Sequence, residues 1–271
     1  MKVSIITVCF NSEQTIKSTL ESVKAQIGKK NFIEYIIIDG GSKDGTLSIL
    51  DQYREGIDVL ISEKDKGIYD AMNKGIAQAT GDFILFLNSD DILFDKNVIS
   101  DFIDYAKKNE YSDYFYGGIV CKNIFGGNSR NLFLKNISEF SFKRGNNNFP
   151  FPALFIRRDL FKKLGLLDFN YKVNADYEWE CRLVKSRCKG EFFNRIITIY
   201  DQTGFSSVGG WSQYVEKLRI INKYFGVFYA GLFLINSLFK FSVVSILKRL
   251  KISDRISRYV NRVKGTSRES K

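Results

Sequence analysis

Strand–helix alternation in the first hundred residues is the feature that most constrains the fold of this chain. Apolar, β-branched runs at Val3–Cys9, Phe32–Ile38, Val59–Ser62 and Phe83–Leu87 predict β-strands. Segments with helical spacing of apolar residues lie between them, as in Glu13–Ala25. Short loops joining alternating strands and helices are typical of a mainly parallel sheet covered on both faces. The sequence therefore predicts an α/β fold.

Composition narrows the class of protein. The 271 residues, 44% hydrophobic and 26% charged, suit one large globular domain or a domain with an appendage. The four cysteines are scattered without a C-x-x-C pair, which predicts a reducing cytosol and neither a zinc site nor a disulfide framework. The N-terminal "MKVSIITVCFN" alternates like a strand, so we expect no signal peptide.

The chain contains no histidine, and this restricts its chemistry. Ser-His-Asp and Cys-His catalysis and histidine metal sites are excluded. A general base near neutral pH must be a carboxylate or, less readily, a Lys, Tyr or Cys. A hard metal ion would be held by carboxylate oxygens and by the phosphates of a ligand.

Polar residues follow three predicted strands: "TVCFN" after the first, Asp39 after the second and Asn88–Asp91 after the fourth. Carboxyl ends of parallel strands meet at one edge of the sheet, where ligands bind. Adjacent Asp90 and Asp91 repel each other, which indicates a divalent cation such as Mg²⁺ or Mn²⁺ that would neutralise a diphosphate. Ordinary turn residues at each strand end are the alternative.

Other polar residues belong to the same predicted edge. Asp39 could accept hydrogen bonds from a nucleobase N–H or a ribose hydroxyl, although Asp before Gly-Gly-Ser is also a common turn former. The segment "DKGIYDAMNKG" supplies Lys66, Asn73 and Lys74. Each lysine alone is equally consistent with a solvated surface charge.

The C-terminal segment differs from the rest. Phe225–Leu247 contains one charge, Lys240, and from Lys240 to Lys271 the chain carries a net +8 of its total +11. We predict a domain over residues 1–224 and a helical tail over 225–271 that lies on an anionic membrane surface. A helix packed on the catalytic domain and a full membrane span are the alternatives. A nucleic-acid partner would explain the basic tail alone, so none is expected.

Four motifs in order resemble the inverting family 2 glycosyltransferases of the GT-A fold: "VSIITVCFN", "IIIDGGSKDGT", "DKGIYDAMNKGI" and "GDFILFLNSDD". The resemblance continues more loosely through "PALFIRRDLFKKLGLLDFNYKVNADYEWECRL" and covers roughly residues 1–200. It is similar to bacterial members that build surface polysaccharides. It implies transfer of a sugar from a nucleotide sugar, commonly UDP-linked, to a saccharide on undecaprenyl diphosphate at the cytoplasmic face of the plasma membrane.

The resemblance also implies site residues. "NSDD" stands at the D-x-D metal motif, with Asn88 replacing the first Asp, so Asp90 and Asp91 would hold Mn²⁺ or Mg²⁺. Gly40 replaces a second Asp that many relatives carry. The residues expected to contact the donor are Thr7, Phe10, Asn11, Asp39, Lys66, Asn73, Ser89 and Asp90.

Asp176 is the candidate catalytic base implied by the resemblance, with Glu178 and Glu180 as alternatives. It would take the proton of the acceptor hydroxyl in a single displacement that inverts the anomeric carbon. An Asp near a helix start is otherwise a cap. We further predict that Gly209–Gln213, "GGWSQ", forms a mobile loop over the donor.

Two other classes of protein fit the sequence less well. A sugar-nucleotide pyrophosphorylase would carry a Gly-rich, Arg-containing loop after the first strand, where this chain has "CFNSEQ". A catalytically inactive GT-A-like scaffold, or a protein that only binds sugar nucleotides, remains the main alternative to an enzyme.

Overall fold

The computed structural model describes residues 1–122, 130–132, 138–146, 149–201 and 210–249. The strands are β1 (Val3–Cys9), β2 (Ile33–Asp39), β3 (Val59–Ser62), β4 (Phe83–Phe86), β5 (Ile92–Leu93), β6 (Tyr114–Lys122), β7 (Arg130–Leu132), β8 (Leu154–Arg157) and β9 (Gly190–Asp201). The helices are α1 (Ile16–Lys24), α2 (Lys29–Phe32), α3 (Thr46–Gln52), α4 (Ile68–Gln78), α5 (Val98–Lys108), α6 (Glu139–Lys143), α7 (Asp159–Leu164), α8 (Ala175–Lys185), α9 (Trp211–Phe225) and α10 (Val227–Arg249).

The first four strands form a parallel sheet in the order β3-β2-β1-β4. Strand β1 lies in the interior, and all seven of its residues are buried, as expected for a strand covered on both faces. Cys9 at its end lies opposite Asp39 at the end of β2. The loops that follow β1, β2 and β4 therefore meet at one edge, and the predicted α/β fold is confirmed.

Beyond β4 the sheet becomes mixed. Strand β8 runs antiparallel to β4 and β6, β9 runs parallel to β6, and β5 runs antiparallel to β9. Arg157 ends β8, and the next helix begins at Asp159. The four-residue run "LFIR" is too short to show a period, and its position between two buried strands decides its structure.

Two hydrophobic clusters cover the two faces of the sheet. Ile6 and Val8 face the cluster formed with α4 and α7–α10, whereas Val3 and Ile5 face α1, α3 and α5. A Cβ on Gly75 would lie 2.4 Å from Cγ2 of Ile6. Glycine at this position therefore allows α4 to pack directly on β1, which fixes the loop that precedes α4 at the edge of the sheet.

The C-terminal helices pack on the same side as α4. Ala230, Phe233 and Ser237 of α10 are buried, whereas Phe228 is 68% and Ile235 66% exposed. Ala230 and Phe233 belong to the cluster that contains α8 and α9, across the domain boundary predicted at residue 224. Within the described residues, no helix is long and apolar enough to cross a membrane. The basic segment after residue 249 lies outside the described residues.

The predicted loop over Gly209–Gln213 is corrected in part. Trp211 begins α9, and Gln213 lies within its first turn, because the apolar residues that follow recur at helical spacing. Gly209 lies outside the described residues. The paired glycines before Trp211 therefore precede a helix that packs against α10.

Candidate active site

The end of β1 supplies an exposed aromatic ring and an ordered turn. Phe10 is 60% exposed, so its ring face is available to a nucleobase. Asn11 has a left-handed backbone with φ 49°, its N–H donates to Ser42 Oγ at 2.8 Å, and its Oδ1 accepts the Lys43 N–H at 2.9 Å. Thr7 does not line this edge: its side chain is buried, 3.2 Å from the Tyr35 hydroxyl.

Asp39 is a buried turn former. Its Oδ2 accepts the N–H groups of Gly41 at 3.1 Å and Ser42 at 3.0 Å and the Ser62 hydroxyl at 2.6 Å, while Oδ1 accepts the Ser42 hydroxyl. The side chain has no exposed surface, so the expected contact with a nucleobase is not available in this geometry. Asp39 instead orients Ser42, which in turn accepts the Asn11 N–H.

Asp65 occupies the space that Gly40 leaves free. A Cβ on Gly40 would lie 2.4 Å from Asp65 Oδ2 and 3.4 Å from the Phe10 ring. Asp65 Oδ1 accepts the Gly67 N–H at 2.9 Å, which fixes the carboxylate beside Phe10. Asp65 thus places a carboxylate where position 40 lacks one, a replacement that the motif resemblance did not indicate. The signal was the Asp that opens "DKGIYDAMNKG" after the third strand.

The two predicted metal ligands differ in how deeply they are buried. Asp90 is partly exposed, whereas Asp91 is fully buried and its carbonyl accepts the Thr19 hydroxyl at 2.8 Å. Asp90 is therefore the more accessible of the two carboxylates to a ligand entering from solvent, and a joint role of Asp90 and Asp91 in holding a metal stays a prediction. Ser89 Oγ lies 2.9 Å from Ser12 Oγ, which joins the ends of β4 and β1.

The residues of this turn fit a divalent cation shared with a ligand. The Asn88 side-chain oxygen is buried and, in the part of the chain that the structure describes, has no hydrogen-bond partner. No cluster of three or more Asp, Glu, Cys or His residues among the described ones would hold a metal by protein alone. Oxygen donors from Asn88 and Asp90, completed by phosphate and water, match the ligand preference of Mg²⁺ and Mn²⁺.

The segment around α4 contributes less to the edge than expected. The Asn73 amide is used by the Leu167 backbone, donating to its carbonyl at 2.8 Å and accepting its N–H at 3.0 Å. Asn73 therefore fixes α4 to the chain after α7 and does not lie along a nucleotide. Lys74 forms an ion pair with Glu63 at 2.7 Å. Lys66 is exposed, with Nζ 5.6 Å from the centre of the Phe169 ring.

Asp176 lies at the start of α8, beside α4. Its Oδ1 accepts the Tyr177 N–H at 2.8 Å and shares the Tyr69 hydroxyl, at 3.1 Å, with the Val173 carbonyl, which lies 2.7 Å from that hydroxyl. Burial of the carboxyl group raises the pKa of Asp176, and these two donors oppose that effect. The alternative base Glu178 is ruled out by its contacts, because it pairs with Arg182 at 2.8 Å and Lys223 at 2.9 Å and accepts the Tyr224 hydroxyl.

Glu180 and Lys217 complete a buried charge cluster with Asp176. Glu180 has no exposed surface and lies one helical turn from Asp176. Burial and then the nearby Asp176 charge raise the pKa of Glu180 well above its ordinary value. Burial lowers the pKa of Lys217, and the two carboxyl groups oppose that effect. Burial thus disfavours the charged form of all three groups, and the Lys217 ammonium opposes that effect at both carboxyl groups.

The fold and the polar edge are those of a ligand-binding α/β protein, and among the described residues the candidate base beside that edge is the carboxylate of Asp176. Residues 4–165 match the model described as Glycosyl transferase family 2. The match covers more than half of the chain, and the protein belongs to this family. It is a glycosyltransferase with the GT-A fold.

Curated relatives of this chain are also named glycosyltransferases. A PGL/p-HBAD biosynthesis glycosyltransferase of Mycobacterium tuberculosis is 31% identical over 185 residues, which cover 66% of this chain and 68% of the relative. A glycosyltransferase of the same species described as uncharacterized is 32% identical over 209 residues, covering 76% of this chain and 77% of that one.

Solved structures share the fold at lower identity. Staphylococcus aureus TarS has a TM-score of 0.65 at 22% identity, covering 82% of this chain, and this chain spans 39% of that one. Its residues 1–349 have been solved with UDP and with UDP-GlcNAc. A mannosyltransferase from Pyrobaculum calidifontis, solved with GDP-Man and Mn²⁺, has a TM-score of 0.58 at 14% identity.

Proposed function

We propose that this protein is an inverting glycosyltransferase that moves a sugar from a UDP-sugar to a hydroxyl of a saccharide linked to undecaprenyl diphosphate. The product would enter bacterial cell-surface polysaccharide biosynthesis. The observation that carries the proposal is the 3.1 Å hydrogen bond from Tyr69 to Asp176. Tyr69 directly follows the loop that holds Asp65, so this bond ties the candidate base to the edge that would bind the donor.

The described residues support a single displacement. Asp176 would accept the proton of the acceptor hydroxyl while that oxygen forms a bond to the anomeric carbon. The bond from the same carbon to the diphosphate oxygen breaks, and its electron pair leaves with the nucleoside diphosphate. Attack from the face opposite the leaving group inverts the configuration. Tyr69 and the Tyr177 N–H hold the carboxylate in one orientation, which reduces the entropic part of the barrier.

The donor would lie at the carboxyl ends of β1, β2 and β4. Phe10 would stack on the base, and Asp65 beside it would accept a hydrogen bond from a base N–H or a ribose hydroxyl. Asn88 and Asp90 would hold Mn²⁺ or Mg²⁺, which supplies positive charge to the leaving diphosphate when bound. Structural neighbours solved with UDP, UDP-GlcNAc, or GDP-Man and Mn²⁺ support a nucleotide-sugar donor.

The acceptor and location are inferred from the C-terminal helix. Helix α10 keeps apolar side chains exposed, including Phe228 and Ile235, and the basic sequence begins within it at Lys240. An apolar helix face followed by basic residues suits the cytoplasmic face of a plasma membrane, where anionic lipids and lipid-linked saccharides are found. We therefore place the enzyme peripherally on that face.

A thermal-shift screen combined with a turnover assay tests the proposal. UDP and UDP-sugars, each with and without Mn²⁺, should raise the melting temperature, since a ligand of the native state stabilises it. Asp176→Asn should retain that shift and lose at least about 100-fold in release of UDP from the donor. Binding with no release by the native chain would instead identify an inactive scaffold. The absence of any shift would reject a nucleotide-sugar donor.

A further inference from the structure

Two adjoining cavities lie between the end of α6 and the helices α9 and α10. The larger, about 230 Å³, is lined by Phe140, Lys143, Arg144, Tyr229, Leu232, Phe233 and Asn236. The smaller, about 160 Å³, includes Gln213, Lys217 and Ser237 in its lining. Arg144, Phe233 and Asn236 line both cavities, so the two are contiguous.

The two cavities differ in chemistry. Aromatic and aliphatic side chains dominate the larger one, whereas amide, hydroxyl and cationic groups line much of the smaller one. Arg144 is exposed at their junction and makes no ion pair with any described residue. The neighbouring Lys143 differs, because Glu139 balances its charge at 3.1 Å. An apolar groove with an uncompensated guanidinium at its end suits an amphiphile with an anionic head.

The polar cavity also adjoins the candidate base. Lys217 lines it, donates to the Gly145 carbonyl at 3.2 Å, and interacts electrostatically with Asp176 and Glu180. A molecule whose anionic group meets Arg144 would therefore share the smaller cavity with Lys217, whose charge acts on the candidate base. The exposed apolar face of α10 continues from the larger cavity through Leu232 and Ile235.

We infer that these cavities bind the lipid-phosphate end of the acceptor: Arg144 and Asn236 contact the phosphate group, and the first carbons of the lipid lie against Tyr229, Leu232 and Phe233. This inference rests on the proposed function and adds to it the acceptor-binding residues. Arginine matches phosphate geometry with two parallel N–H donors, and the apolar groove shields the lipid chain from water. Because the phosphate contact and the apolar groove must both contribute, the test compares a ligand that carries both chemical groups with ligands that carry only one.

Calorimetric titration of the full chain, with the donor site filled by UDP and Mn²⁺, tests this site. The probes are farnesyl diphosphate, farnesol and inorganic diphosphate. Farnesyl diphosphate should bind more tightly than either single-part probe. Arg144→Gln and Leu232→Asp should each weaken its binding about tenfold, the loss expected for one charge-assisted contact or one charged group placed in the groove. Arg219→Gln, a matched change at an exposed arginine of α9 outside both cavities, should leave it unchanged.

Equal binding of farnesyl diphosphate by Arg144→Gln and Arg219→Gln would overturn the inference. Equal affinity for farnesyl diphosphate and inorganic diphosphate would do the same. Asn236→Asp, which adds a negative charge to the surface of α10, provides a second variant if Arg144→Gln does not fold. UDP binding and donor turnover are measured without lipid. If the native chain neither binds UDP nor turns over the donor, the proposed function is rejected. If it does both, and the substitutions leave farnesyl diphosphate binding unaltered, this site alone is rejected.

Discussion

As the proposed base, Asp176 would accept a proton only when ionised, and Tyr69 is one of the groups that favour its ionised form. The Tyr69 hydroxyl donates to the carboxylate and so opposes the rise in the pKa of Asp176 caused by burial. Tyr69→Phe removes this donor, and the pKa should rise further. Activity is lost as pH falls through that pKa, so the acidic limb of kcat/KM should move to higher pH. Tyr111→Phe, at an 89% exposed position, is the control. An acidic limb that stays in place would show that the bond does not tune the base.

The raised pKa of Glu180 should make the stability of the folded protein depend on pH. Its folded pKa is raised, so the folded protein retains a proton that the unfolded chain releases once the pH exceeds the ordinary glutamate range. Stability therefore falls as the pH rises from that range toward the folded pKa. Glu180→Gln never ionises, so urea unfolding should show it to be more stable than the native chain near pH 8, relative to the difference near pH 4.

The same variant separates a neutral Glu180 from an ionised one. If the raised pKa keeps Glu180 uncharged where Asp176 titrates, Gln replaces a neutral group and the acidic limb of kcat/KM should stay where it is in the native enzyme. An ionised Glu180 would raise the pKa of Asp176, and its removal would move the limb to lower pH. A shift of the acidic limb to lower pH, or an equal loss of stability at both pH values, would contradict a neutral Glu180.

Gly40 and Asp65 should act as one unit in nucleotide binding. A methyl group at position 40 would meet the Asp65 carboxylate at 2.4 Å and displace it from beside Phe10. Gly40→Ala and Asp65→Ala should each weaken UDP binding about tenfold, and the double variant should bind no more weakly than either, because they remove the same contact. Gly231→Ala, where nothing lies within 4 Å of the new Cβ, is the control. Additive losses in the double variant would refute the shared contact.

At the scale of elements, α4 joins the donor edge to the acceptor side. Its first residues carry Tyr69, and Asn73 on its next turn binds the Leu167 backbone through both amide atoms. Asn73→Ala should lower the free energy of unfolding by about 1–3 kcal/mol, since two buried backbone groups lose their partner. UDP affinity should not change. Weaker UDP binding with unchanged stability would restore the nucleotide contact that the resemblance implies.

The elements that the sequence predicted are those with strong periodicity or continuous burial. Strand β1 and helix α4 follow from their residues alone, whereas β8 depends on partners distant in the chain. Site residues divide in the same way. The position of Asp176 at a helix start follows from local pattern, but the burial of Thr7 and Asp91 depends on the packed sheet. Asp65 was missed because only the fold brings it next to Gly40.

At the scale of the whole molecule, the proposed donor-binding edge, the candidate base and the two cavities follow one another in the direction of α10. Phe10 and Asp65 are at the carboxyl ends of the parallel strands, Tyr69 connects that edge to Asp176, and Lys217 connects Asp176 to the smaller cavity. This series ends at the exposed apolar face of α10. A substrate that is part saccharide and part lipid would fit this order, with its sugar at the base and its lipid toward the membrane.

Membrane association of α10 can be tested without disturbing the core. Removal of all residues after Tyr224 would take Phe233 out of the packed cluster, so paired substitutions on the exposed face are the better design. Phe228→Glu with Ile235→Glu should reduce flotation with phosphatidylglycerol liposomes severalfold, because two apolar side chains leave the bilayer interface and two charges oppose its anionic surface. Phe228→Gln with Ile235→Gln should give an intermediate loss. Donor turnover in solution should be the same for all. Equal flotation of the native and doubly charged proteins would place the membrane contact elsewhere or exclude it.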